Sequence, residues 1–285
     1  MFLHCTIAAI VCLTAVACAI PGMFLVLRGV ALLSDAISHS ILLGIVLMFL
    51  LTGSLESPLL FFGAALAGVA MVACTEQLIA TTRLKKDAAI SLVFPLFFSL
   101  GVIMVSMWVR NVHLDVDMIL LGEVALAPFN RLILFGADVG PRAVWVLGSM
   151  IIVSLLLLRF FFYSFIFSLF DPAGASVAGL KPQRLYYGLM LITSMTAVAA
   201  FDIVGSVVVV ALMITPGATA YLLARTMHEY MGYTVGIACL SGLLGYAFAA
   251  WANVSVAGSI ATAAGALFLC VFAWYAMRNV RSVTI

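Results

Sequence analysis

Asp35 and His39 are the residues of this chain best equipped for chemistry. They stand in Ser34-Asp35-Ala36-Ile37-Ser38-His39-Ser40, between long apolar runs that carry no charge. In a helix this spacing puts a carboxylate and an imidazole one turn apart on the same face. Inside a segment of hydrocarbon length both groups are costly to hold, so an intramembrane ionisable pair marks a functional site by default. Carboxylate oxygen with imidazole nitrogen suits a divalent transition metal such as manganese, iron or zinc. The plain alternative is an internal hydrogen-bonded pair that only stabilises helix packing. At about 100° per residue, Arg28, Leu32, Asp35 and His39 fall on one stripe, with Arg28 near one end to repel a free cation until that end opens. Ser38 and Ser40 do not form a nucleophile–base contact with His39, because adjacent helical side chains diverge by about 100°.

The elements that position this pair follow from composition. The chain has 285 residues, 66% hydrophobic and only 8% charged, with a mean hydropathy of +1.30. A soluble domain this apolar could not cover its surface, and apolar runs of about 20 residues read as membrane spans. The fold class is therefore all-α, a polytopic integral membrane protein with one transmembrane domain over residues 1–285. A net charge of +2 points to no nucleic-acid partner. Cys5, Cys12, Cys18, Cys74, Cys239 and Cys270 lie in or beside apolar runs and form no CxxC pair, so they read as small hydrophobes rather than a zinc or disulfide framework. The first twenty residues lack the basic start of a signal peptide and read as the first span.

Windows without charge predict spans at Cys5–Leu27, Val30–Leu51, Leu59–Ala80, Ala88–Val109, Ala143–Phe165, Leu185–Ala200, Ile203–Ala224, Gly232–Trp251 and Val256–Met277, with the short sixth the most dispensable. Of the 13 Lys and Arg, only Arg110, Arg131 and Arg142 fall on the side opposite the Arg83–Asp87 loop. The positive-inside rule then places that loop and the C-terminus in the cytoplasm and the N-terminus outside. Pro21-Gly22 predicts a kink in the first span, and Thr215-Pro216-Gly217 predicts a broken helix that frees backbone carbonyls beside a substrate path.

Three connecting stretches carry polar signals. Residues 110–141 are too mixed to span and read as an outer interfacial or re-entrant segment. Its His113, Asp115, Asp117, Glu123 and Asp138 would raise local cation concentration at an outer entry, unless the segment is an ordinary solvated loop. On the inner side Asp87 is placed to cap the following span. Residues 168–182 hold a short helix with its own punctuation: Phe170, a capping Asp171, Pro172 at the first position, then Gly179 and Pro182 as stops. A short helix with both start and stop signals suits docking better than mere connection.

Several of these blocks together resemble the permease subunits of metal-type (manganese, zinc, iron) ABC importers. Ser34–Ser40 with Gly44 is similar to that family's G-D-A-L-S-H-A…P-G block, and Asp87–Val102 to its D-A-A-I-G-I-V-F…A-L-G-V stretch. Leu114–Gly122 resembles L-D-x-I-L-F-G, Phe170–Gly179 resembles F-D-P-x-x-A-x-x-x-G, and Val204–Ala220 resembles V-G-x-L-L-V-x-A-L-L-I-x-P-A-A-T-A. The blocks run in family order across about residues 20 to 225. The chain departs from the pattern at Ser34 for a usual glycine, Leu43 for a common proline and Gly217 for alanine.

The resemblance implies a multi-pass protein of the bacterial inner membrane, paired with a second permease subunit, identical or homologous, around a central path. It implies a cytosolic ATPase dimer docked on the Phe170–Gly179 coupling helix and an extracytoplasmic metal-binding protein that delivers the ion. Asp35 and His39 would be transient ligands on that path, and manganese, zinc or iron would be cargo rather than a resident cofactor. The chain contains no GxxxxGK[ST] phosphate loop, as expected of a permease whose energy comes from a separate subunit. An ion- or proton-coupled secondary metal transporter, with Asp35 and His39 as a proton relay, is the rival reading. Such carriers usually show related repeats, and the two halves of this chain show no convincing self-similarity.

Overall fold

An apolar run in lipid has no water to bond its amides, and the α-helix answers by pairing them within the segment. The computed structural model describes residues 2–54, 57, 59–108, 124, 126–134 and 137–283. Its helices are α1 (Phe2–Leu27), α2 (Leu32–Thr52), α3 (Leu59–Thr81), α4 (Lys86–Trp108), α5 (Arg142–Phe170), α6 (Pro172–Val177), α7 (Pro182–Val204), α8 (Ser206–Leu223), α9 (Met227–Ala252) and α10 (Val256–Val283). Among the described residues, 9 helices are long and apolar enough to cross a membrane; α6 is too short. Span boundaries differ most from expectation at α7, where polar Gln183 and Arg184 form part of the first turn behind Pro182. Lys86 opens α4, so Asp87 sits in its first turn rather than capping it, still placed to complement the helix dipole.

The chain packs as two groups of helices. α2, α3 and α4 lie side by side, and α7 closes against α2 and α3. α1 is enclosed by α5, α7, α8 and α9, and α10 seals the far side against α8 and α9. Helices α1 and α7 are the most buried spans, while α4, α5 and α10 form the periphery. The groups associate by close packing, as expected where lipid tails offer no hydrophobic drive. At Gly22 a side chain would strike the backbone of Met213, so α1 and α8 touch main chain to main chain. Gly44 meets the backbone of Gly63 in the same way between α2 and α3.

The helix break expected at Thr215-Pro216-Gly217 does not occur. α8 runs from Ser206 to Leu223 through Pro216 without interruption. Proline removes one amide donor, which neighbouring groups in a membrane helix can compensate without unwinding. Just beyond it the Thr219 hydroxyl donates to the Thr215 carbonyl at 2.7 Å. Likewise α1 continues through Pro21 to Leu27. The interruption in this part of the chain falls earlier, at Gly205, whose φ of 80° lies in the left-handed region and separates α7 from α8.

Within 110–141 the described part is a hairpin that the sequence reading missed. Strands β1 (Arg131–Leu134) and β2 (Ala137–Pro141) pair antiparallel, with a bulge between Arg131 and Ile133. The predicted interfacial piece ahead of it falls largely outside the described residues. So do His113, Asp115, Asp117 and Glu123.

Candidate functional site

α2 places Asp35 in its first turn and His39 one turn later. Their Oδ1 and Nε2 atoms are 3.4 Å apart, with the side chains 45% and 27% exposed respectively. That separation is a loose contact, longer than a good charge-assisted hydrogen bond, and it leaves lone pairs on both groups for another partner. Seven residues separate His39 from the start of α2, so the imidazole lies about 10 Å inside the helix along its axis. The serines around the pair are satisfied locally: Ser34, Ser38 and Ser40 hydroxyls donate to the carbonyls of Ala31, Ser34 and Ile37 at 2.8–2.9 Å. They help hold α2 regular and do not engage the imidazole.

α4 supplies the wall. Phe94 lies tilted against the His39 ring at 5.7 Å, and Phe98 meets it edge-on at 5.5 Å. The two phenylalanines are one helical turn apart, matching the spacing of Asp35 and His39 on the facing helix. Such rings fix the imidazole plane and restrict its approach to one side. A pair of aromatics at that spacing opposite an intramembrane histidine is the signal that could have found them in the sequence.

Among the described residues no three His, Cys, Asp or Glu side chains converge as a metal cage. Asp35 and His39 therefore offer two donors from this chain, fewer than the four of a closed structural zinc site. An incomplete, partly open set binds weakly, and transport needs binding that also permits leaving.

Arg28 sits elsewhere than its predicted stripe. α1 ends at Leu27 and the chain reverses over 28–31, with Gly29 at a φ of 68°, before α2 begins at Leu32. A helical wheel continued through that turn does not apply, so Arg28 shares no helical face with Asp35 and His39. Its guanidinium lies over the ring of Tyr186 on α7, 4.0 Å from the centroid. The sequence reading missed Tyr186; an aromatic in the turn after a basic loop was its signal.

The punctuation of α6 is as the residues require. The Asp171 carboxylate accepts a hydrogen bond from the Gly174 amide at 2.8 Å, and Pro172 occupies the first position. Gly179, at a φ of 82°, takes the left-handed conformation that turns the chain after the helix. The Leu180 amide then reaches back to the Ala175 carbonyl at 3.0 Å, and Pro182 starts α7. Phe170 is 68% exposed, and with Tyr163, Phe167 and Leu180 it lines an open apolar depression beside α6.

Of Thr215, Pro216 and Gly217, the last lies in a tight joint between helices. Gly217 packs against the Met23 backbone and Val26 of α1, and the Tyr230 hydroxyl of α9 donates to the Met23 carbonyl at 3.0 Å.

Helices long and apolar enough to cross a membrane, a half-exposed acid–imidazole pair on one of them and a short capped helix between two of them are the parts expected of a membrane transport protein. Residues 2–275 match the model of the ABC 3 transport family, and the chain belongs to that family. It is 42% identical over 260 residues to the manganese transport system membrane protein MntD of Bacillus subtilis, covering 91% of this chain and 88% of that protein. It is 46% identical over 266 residues to the zinc transport system membrane protein TroD of Treponema pallidum, covering 93% and 72%. The solved structure of PsaBC from Streptococcus pneumoniae in complex with Fab is similar, with a TM-score of 0.75 at 28% identity over 93% of this chain and 88% of that one. The chain is thus the membrane subunit of an ABC transporter and not its ATPase, which sets aside the secondary-transporter reading.

Proposed function

We propose that this chain is the multi-pass permease of an ATP-driven importer that passes manganese, zinc or iron from an extracytoplasmic binding protein to the bacterial cytoplasm. Asp35 and His39 are the transient ligands. The observation that carries this reading is the 3.4 Å acid–imidazole pair, partly open, in the first two turns of α2, with Phe94 and Phe98 against the imidazole. A second permease subunit, identical or homologous, brings its own pair to the shared axis. The end of the bundle that holds Arg28, Arg83, Lys85, Lys86, Lys181 and Arg184 faces the cytoplasm together with the C-terminus. There α6, with Phe170, Asp171, Pro172 and Gly179, receives the cytosolic ATPase dimer, and Arg28 holds its positive charge at the inner mouth. From their place in the sequence, Asp115, Asp117 and Glu123 are assigned to the outer entry, and no cofactor is bound permanently.

The test is uptake of radioactive Mn²⁺ and Zn²⁺ by cells carrying Asp35→Asn or His39→Ala permeases that still co-purify with the ATPase. Both variants are expected to lose at least about tenfold in uptake, the scale of removing a charged ligand. Normal uptake by both would remove the ligand assignment. For the coupling helix, Asp171→Lys should abolish transport-stimulated ATP hydrolysis while the protein still inserts; persistent stimulation would make α6 only a linker.

A further inference from the structure

The stacking of Arg28 on Tyr186 joins three elements at the basic end of the bundle. Arg28 belongs to the turn after α1, and Tyr186 to the second turn of α7. The Tyr186 side chain is 2% exposed, so its ring has a fixed place, while Arg28 is only half-buried and has a long flexible stem. The Tyr186 hydroxyl is buried, and the Glu76 carboxylate of α3 faces it. Among the described residues no carboxylate lies within ion-pair distance of Arg28, whose guanidinium rests on the ring face of Tyr186. A guanidinium over a phenol ring is held in position by the ring quadrupole and keeps its full charge. An ion pair would have cancelled that charge.

Tyr186 is also tied to α6. The backbone passes from Val177 through Gly179 and Lys181 into α7, with the Leu180 amide bonded to Ala175 and the Arg184 and Leu185 amides bonded to Lys181. A displacement of α6 therefore reaches the first turns of α7 without passing through a loose loop.

We infer that Tyr186 is the positioning residue of the inner gate: its ring holds the Arg28 charge across the mouth at rest, and movement of α6 withdraws the ring and releases that charge. This rests on the reading of Arg28 as the inner barrier. The gate opens when α6 and α7 shift together, so ATPase motion and cation exit are one event. The hydroxyl is dispensable in this arrangement, whereas the aromatic face is required.

The experiment uses proteoliposomes holding the full permease–ATPase complex and reads Mn²⁺ influx without ATP from quenching of a trapped dye. Tyr186→Leu should raise the leak about tenfold, the size of effect that moving one unit charge by several ångströms has in a partly dry site. Tyr186→Phe should remain as tight as wild type, since its ring still carries the cation. Arg28→Gln should leak like Tyr186→Leu, and the double variant no more than either single one. If Tyr186→Leu does not assemble, Tyr186→Met, flexible and closer in volume, takes its place, with thermal melting as the check on folding. A tight Tyr186→Leu beside a leaky Arg28→Gln overturns the positioning role alone, as does a Tyr186→Phe that leaks as much as Tyr186→Leu. A tight Arg28→Gln overturns the barrier itself.

Discussion

The joint between α1, α8 and α9 and the seam around His39 between α2 and α4 use different means. In the joint, Gly22 brings α1 onto the main chain of Met213, and Gly217 with Tyr230 closes on Met23. The Thr219 and Thr234 hydroxyls there donate to carbonyls of their own helices, those of Thr215 and Tyr230. At the seam, Asp35 and His39 are partly exposed, their mutual contact is loose, and two phenylalanine rings lie against the imidazole. Small residues that let backbones meet build rigidity in lipid, while bulky rings around an ionisable pair leave room for something to enter. α2 carries both kinds of contact, since a turn beyond His39 its Gly44 meets the backbone of Gly63 on α3.

That contrast is tested most harshly by Gly22→Leu. Overpacking a backbone-to-backbone contact should cost more than about 3 kcal/mol, and folded protein should largely disappear on size-exclusion of the solubilised permease. A well-folded Gly22→Leu variant would mean that the joint is not rigid. A smaller change at the seam is Phe98→Leu, which keeps most of the bulk and loses the edge-on ring contact with His39. It should cost only about 1 kcal/mol of stability yet lower metal uptake severalfold, because the imidazole loses one of its two ring walls. Uptake and melting that fall in step would place His39 in the frame rather than in the site. The mildest is Gly217→Ala. The added carbon would sit 3.2 Å from the Tyr230 hydroxyl and 3.3 Å from the Met23 Cα, so the tyrosine shifts slightly and the cost stays within about 0.5 kcal/mol. A melting loss as large as that of Gly22→Leu would contradict the assignment of Gly217 to the edge of the joint.

Much of this was legible in the residues. Charge-free runs give the spans because hydrocarbon admits helices and little else, and capping chemistry gives α6 because Asp171, Pro172 and Gly179 each demand one backbone geometry. The pairing of Asp35 with His39 follows from helical spacing alone. What did not follow was anything set by a neighbour far along the chain. Phe94 and Phe98 read as ordinary apolar residues until α4 lies beside α2. Tyr186 has no meaning for Arg28 until α7 packs against α1. Pro216 was misread because a proline's local effect depends on whether its helix is held from outside, and α8 is gripped by α1. Arg28 was misplaced because the wheel was drawn through a turn that Gly29 enforces. The hairpin at Arg131–Pro141 is short and carries no strong alternation, so composition hid it.

The shortness of α8 has a topographic consequence. With Gly22 and Met213 in register, Ser206 starts α8 at about the level of Ala15, and α1 continues for roughly 20 Å of helix beyond it. The face at the far end from Arg28 and Arg184 is therefore stepped, a ledge at Gly205 beneath a taller rampart of α1 and α9. Asp202 and Val207 are both exposed on that ledge, one residue type that draws cations and one that sheds water. A body landing there would meet relief rather than a plane.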